Sequence, residues 1–181
     1  EDLKELTFGN QLVEIGSDSF AYTGLTSVVL PENIEYVGSC AFQNSKLKEV
    51  TFNCKNVYIG DNAFENCPLG DLDLQENIQG FDYESFAGTL ATKVNIPSTV
   101  TGLTYREFAF SYNLVSVTIP DSVEHIGDEC FRGDVNLSHV LYTGTEEQWN
   151  NIAIGSQEIL DAMVHFEATG DEVTTQQTCT Q

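Results

Sequence analysis

From Leu114 to Phe131 the apolar residues follow no single period. Val117 and Ile119 alternate with Ser116 and Thr118, Pro120 interrupts, and Val123, Ile126, Gly127 and Phe131 come after it. The alternation predicts a short strand with one buried face, and the proline ends it. Val123 and Ile126 form a second inward ridge, and Gly127 permits a tight bend. The same order returns along the chain. Aligned on the central aliphatic of each strand-like run, Leu6, Val28, Val50, Leu72, Val94, Val117 and Val140 are separated by 22, 22, 22, 22, 23 and 23 residues. Phe20, Phe42, Phe64, Phe86, Phe108 and Phe131 keep the same step. So do Ile15, Val37, Ile59, Phe81, Leu103 and Ile126, where Trp149 takes the last slot, and Leu3, Leu25, Leu47, Leu69, Ala91, Leu114 and Leu137. After each bend stands Ser17, Ser39, Asp61, Asp82, Thr104 or Asp128, whose side-chain oxygens suit the cap of one helical turn before the Phe.

One such unit cannot bury its own apolar residues, but stacking places Val on Val and Phe on Phe along a common axis. The expected fold is therefore a solenoid, mainly β or α/β, of about six to seven coils of 22–23 residues. It has a parallel strand ribbon and one-turn helical segments. The array is assigned to residues 1–155. SQEILDAMVHF at 156–166 is read as a C-terminal capping segment and EATGDEVTTQQTCTQ at 167–181 as a flexible polar tail or linker. At the other end Leu3 opens a repeat with no cap before it. Two readings stay open there: further repeats precede it, or a second copy covers the edge as a homodimer.

The segments LTSVVLPENIEYVGSCAF (25–42) and LVSVTIPDSVEHIGDECF (114–131) resemble the BspA-like leucine-rich repeats of bacterial surface proteins. The likeness covers about residues 3–155, and YTGTEEQWNNIAIG (142–155) resembles the modified repeat that closes many such arrays. Phe81-Asp82 and Leu103-Thr104 replace the usual Ile-Gly, and Asn56 occupies a normally aliphatic slot. The resemblance implies an extracellular protein, secreted or at the cell surface of a bacterium or of a parasite with similar repeats. Adhesion to host or matrix proteins is the role it implies, without catalytic residues.

Charge narrows the partners. Seven Lys and Arg against 28 Asp and Glu give a net charge of −21, which repels phosphate backbones and anionic lipid. Nucleic acid and membrane surfaces are accordingly poor partners, and membrane insertion is not expected because no apolar stretch approaches the ~20 residues that span a bilayer. The acidity reads either as solubility or as affinity for cations and basic ligands. Five cysteines form no CxxC pair; Cys40, Cys67 and Cys130, beside the recurring Phe, read as small core or near-core residues.

The strand ribbon would be ~30 Å wide if its strands stack at the usual spacing. One outward ladder is Glu5, Ser27, Glu49, Asp71, Lys93, Ser116 and His139; the other is Thr7, Val29, Thr51, Asp73, Asn95, Thr118 and Leu141. This polar face, acidic toward its N-terminal half, is the candidate site for protein ligands with basic segments. A plainly solvated face, in a spacer or stalk with no ligand of its own, is the alternative. His125, His139 and His165 fall in different slots and read as surface histidines, not a metal site. Asp121, Asp128 and Asp134 lie within one unit but lack the dense oxygen ligands of a calcium loop. No cofactor is expected, and no nucleophile, phosphate loop or cleft-paired carboxylates point to an enzyme.

Overall fold

The computed structural model describes residues 3–155 and 164–166. The chain winds into stacked coils whose inward slots coincide. Rings of Phe20, Phe42, Phe64, Phe86, Phe108 and Phe131 stand in one row, with successive centroids 5.4, 5.3, 5.5, 6.0 and 5.7 Å apart and interplanar angles of 17° or less. This is the expected solenoid.

Two ribbons of parallel strands line it. The first consists of β2 (Ser27–Leu30) and β4 (Glu49–Phe52), then β6 (Leu72–Asp73), β8 (Lys93–Asn95), β10 (Ser116–Ile119), β12 (His139–Tyr142) and β14 (Val164–Phe166). Val117 lies opposite Val94 and Val140, so the aliphatic slots match residue for residue. The second ridge also pairs as a sheet, of β1 (Glu14–Ile15), β3 (Tyr36–Val37), β5 (Val57–Ile59) and β7 (Ile78–Phe81). It resumes as β9 (Gly102–Leu103), β11 (His125–Ile126) and β13 (Ala153–Ile154).

The wall that carries the Phe residues departs from expectation. No helical turn forms there. Instead two residues per coil adopt positive φ, two before and two after the Phe: Asp18 and Tyr22, Cys40 and Asn44, Asn62 and Asn66, Glu84 and Gly88, Arg106 and Phe110, Glu129 and Gly133. Such backbone breaks an α-helix into linked turns, since left-handed residues occur singly. The turned amides reach the next coil. Phe64 N–H donates to Ser85 O at 2.9 Å, flanked by Asn62 to Tyr83 and Asn66 to Ala87, and three such bonds recur at every one of the five steps. The capping assignment fails for a second reason. Asp82 and Thr104 stand in the glycine slot, and Tyr83 and Tyr105 occupy the slot of Ser17, so the six residues are not equivalent.

Glycine at the bend lets coils approach. A Cβ on Gly38 would lie 2.7 Å from Ile15 O, and one on Gly127 2.6 Å from the Thr104 carbonyl carbon. Where Asp82 and Thr104 bring side chains into this slot on consecutive coils, the second ribbon stops pairing, between β7 and β9.

Other slots shift by a residue or a coil. Residues 3–8 form no strand and Leu3 is exposed, so the first ribbon begins one coil later than expected and gains β14 at its far end. Asn56 is exposed while Val57 fills the inward slot, and the bulge opposite Val57 and Tyr58 restores the count by pairing them with Ile78 and Gly80. Ile154, not Trp149, pairs with Ile126. Trp149 sits at the end of α1 (Glu146–Trp149), whose capping box joins Thr145 and Gln148, and its ring meets Tyr142 edge-on at 5.2 Å. Of the expected capping segment, 156–163 lie outside the described residues, as does the 167–181 tail, while Val164, His165 and Phe166 pair in β14.

Candidate functional site: the first ribbon

Strand alternation points one set of side chains of the first ribbon outward. Ser27 pairs with Glu49, Val29 with Thr51, Asp73 with Asn95, Lys93 and His139 with Ser116, and Asn95 with Thr118. Pairing thus brings together nine of the twelve polar candidates, in two groups, and Asp71 joins them through its side chain. Glu5 and Thr7 stand beside the ribbon without joining a strand, across clefts of about 600 and 730 Å³ lined by Ser27 and Val29 respectively.

The second interruption falls inside the candidate face. β4 pairs only with β2 and β6 only with β8. Pro68 contributes to the parting: it has no N–H, and the chain turns tightly there, with Leu69 N–H bonded to Cys67 O at 2.8 Å. Asp71 then does a backbone's work. Its Oδ1 accepts the Thr92 and Lys93 N–H groups at 2.8 and 3.1 Å and the Thr92 hydroxyl at 2.8 Å. The Thr92 hydroxyl above all holds its carboxyl below the usual range, with Thr92 and Lys93 amides adding to the effect. Asp73 accepts from Asn95 Nδ2 at 2.9 Å and from Gln75 Nε2 at 3.1 Å. Glu49 is exposed, and the apolar side chains of Val50 and Phe52 are only partly covered where their equivalents Val117 and Ile119 are sealed.

The remaining candidates separate. Asp121 is exposed at a corner, Asp128 lies on the turn wall, and Asp134 is buried, accepting the Ser111 N–H at 2.8 Å. His139 and His165 come closer than their slots imply, with ring centroids 5.7 Å apart across β12 and β14. Among the described residues no group of three or more His, Cys, Asp or Glu could hold a metal ion. Cys54, Cys67 and Cys130 are buried and Cys40 is half-buried at φ 57°, all free thiols. Burial pushes the Cys67 thiol up to about 11.

Sequence reasoning missed two side-chain ladders. Thr23, Ser45, Cys67, Thr89, Ser111 and Asp134 share one interior slot: Ser45 Oγ and Cys67 Sγ lie 3.2 Å apart, Thr89 and Ser111 hydroxyls 3.0 Å, and Cys67 donates to Phe42 O. Their 22–23-residue spacing was visible, but it carries small polar residues in place of apolar ones. On the outside of the turn wall Asn62, Glu84, Arg106 and Glu129 join in sequence, with Arg106 Nε 2.5 Å from Glu129 Oε2 and Asn62 Nδ2 3.1 Å from Glu84 Oε2. Arg132 and Arg106 together hold the Glu129 carboxyl at about 2.

Residues 13–138 match the family model described as BspA type Leucine rich repeat region, in 6 copies. Among curated proteins none matches significantly. Two solved structures share the fold. A leucine rich cell surface protein from Faecalibacterium prausnitzii is 20% identical at a TM-score of 0.53, over 86% of this chain and 57% of its own. A leucine-rich repeat protein from Bacteroides ovatus is 22% identical at a TM-score of 0.60, over 91% of this chain and 48% of its own. The chain spans about half the length of these relatives. Among the described residues no helix is long and apolar enough to cross a membrane.

Proposed function

Because this chain belongs to the BspA-type leucine-rich repeat family, we propose that it is an extracellular binding module whose first ribbon holds basic segments of protein ligands. The carrying observation is the exposed carboxylate group of Glu49, Asp71 and Asp73 on a strand face of a chain with net charge −21. Opposite charge on the partner speeds encounter and selects among ligands. The likeness to a cell surface protein supports the location. A repeat surface of this kind binds through shape and charge and uses no cofactor.

Neutralising the face tests the reading. Asp71→Asn keeps an oxygen for the Thr92 and Lys93 amides, so it is combined with Glu49→Lys and Asp73→Asn. The expected result is loss of binding to cells and immobilised matrix proteins with unchanged melting. Equal binding by the triple variant rejects the ribbon as the site. If the parent chain itself binds nothing, the spacer reading takes over, which the unbroken hydrogen-bonded turn wall supports.

The N-terminal end of the stack is the place for a second copy. There β1 has no outer strand neighbour among the described residues, and Leu12 and Val13 are exposed. Sedimentation equilibrium is expected to show a dimer that Val13→Glu dissociates; a strict monomer at high concentration removes it.

A further inference from the structure

The parting of β4 from β6 is closed at both ends and open in the middle. At one end Gly70 N–H donates to Lys48 O at 3.3 Å; at the other Asn77 Nδ2 donates to Phe52 O at 2.9 Å and to Cys54 O at 2.8 Å. Between these bridges lies a cleft of about 230 Å³. Val50, Phe52, Leu72 and Leu74 form its apolar walls. Its volume falls below the ~300–1,000 Å³ of small-molecule pockets and suits a single large side chain.

The rim gives the neighbours of that side chain. Glu49, Asp71 and Asp73 carry three carboxylates around the opening, against one cation, Lys48. The face is thus net negative around an apolar hole. Such a hole, ringed by charge, is the form of an anchor pocket in a protein interface.

We infer that this cleft is an anchor site for one leucine or phenylalanine side chain from a protein segment that carries lysine or arginine beside it. The inference deepens the ribbon reading and rests on it. Charge complementarity sets the flanking residues, and the partly covered Val50 and Phe52 set the apolar anchor.

Gly70 permits a test that leaves the charge untouched. Gly70 lines the cleft, a Cβ placed on it meets nothing within 4 Å and its φ is not positive, so Gly70→Leu adds a side chain at the cleft edge without steric conflict or left-handed strain. Gly70→Val serves as a smaller filler should the first variant melt early. The probes are the peptides Gly-Arg-Phe-Arg-Gly, Gly-Arg-Ala-Arg-Gly and Gly-Glu-Phe-Glu-Gly, titrated against the methyl-labelled chain. The first is expected to shift the Val50, Leu72 and Leu74 methyl resonances, to bind about tenfold more tightly than either of the others, and to weaken about tenfold on filling.

Equal binding of the alanine peptide, with filling harmless and Glu49→Lys damaging, rejects the anchor and leaves the acidic ribbon standing. Absence of binding by all three peptides rejects both. Equal binding of the glutamate peptide, or self-association that filling abolishes, assigns the cleft to an uncharged apolar ligand or to a second copy, and overturns the inference.

Discussion

Phe64→Ala lowers the free energy of unfolding by about 3–5 kcal/mol, the range for emptying a buried aromatic site. Phe64 is fully buried, with Phe42 stacked 5.3 Å away on one side and Phe86 5.5 Å on the other, and Phe52 edge-on at 6.0 Å. Truncation therefore removes contacts with two neighbouring coils at once. Collapse of the cavity is limited because three hydrogen bonds on each side hold the turn wall at fixed spacing. Phe20→Ala loses less, since Phe20 is partly exposed, with Phe42 stacked on one side and only the edge-on, partly exposed Phe8 ring, 5.6 Å away, besides. Urea denaturation of both variants measures the difference. A Phe64 loss no larger than that of Phe20 contradicts a shared core. In a stack held by nearest-neighbour contacts, a weak central coil also uncouples the ends, so a lower denaturant slope is expected in the Phe64 variant.

Glu107→Ala stabilises the protein at pH 8.5 and much less, or not at all, at pH 4.5. Glu107 stands in the slot that holds Ala41 and Ala63 three and two coils earlier, is wholly buried, and leaves Oε1 without a hydrogen-bond partner while Thr104 donates to Oε2. The widest gap in the Phe row, 6.0 Å between Phe86 and Phe108, lies beside it. Burial pushes its carboxyl from 4.5 up to about 8. The folded state therefore keeps a proton that the unfolded chain gives up. Stability from this group is full below about pH 4.5 and drains away as pH rises through about 8. The shift corresponds to a few kcal/mol, on the order of 1.4 per unit. Asp134, raised to about 8 mainly by burial and also left with an unpartnered oxygen, acts in the same direction and keeps part of the slope in the variant. Urea midpoints of parent and variant across pH 4.5–8.5 decide the matter. Parallel curves mean that the Glu107 carboxyl loses its proton over the same pH range in the folded and the unfolded chain.

The repeat, its period and the row of Phe residues were legible because each demands the same residue type at every coil. Positions where a coil departs from its neighbours were not. Counting alone put Asn56 in an inward slot, but exposing Val57 loses apolar burial, and a bulge opposite Tyr58 is the smaller disturbance. The turn wall was misread because Ser, Asp and Thr before a Phe look like caps. Positive φ at Tyr22, Cys40, Glu84, Arg106 and Phe110 has no local signature, and these residues hold a conformation costing about 1–3 kcal/mol each because their neighbours in the stack demand it. The candidate face was legible in its members and not in its continuity. Nothing in Leu69, Gly70 or Asp71 alone announces that β4 and β6 part, or that a side-chain carboxylate replaces a carbonyl there.

The two interruptions lie at different heights: the first ribbon opens between β4 and β6, the second between β7 and β9, while the turn wall continues through both levels. As in masonry with staggered joints, no level of the column lacks a sound course. A pull along the long axis then meets turn-wall bonds at either seam and must break three of them together. Sideways load finds two soft levels on different flanks, so the rod yields to bending in more than one direction before it parts.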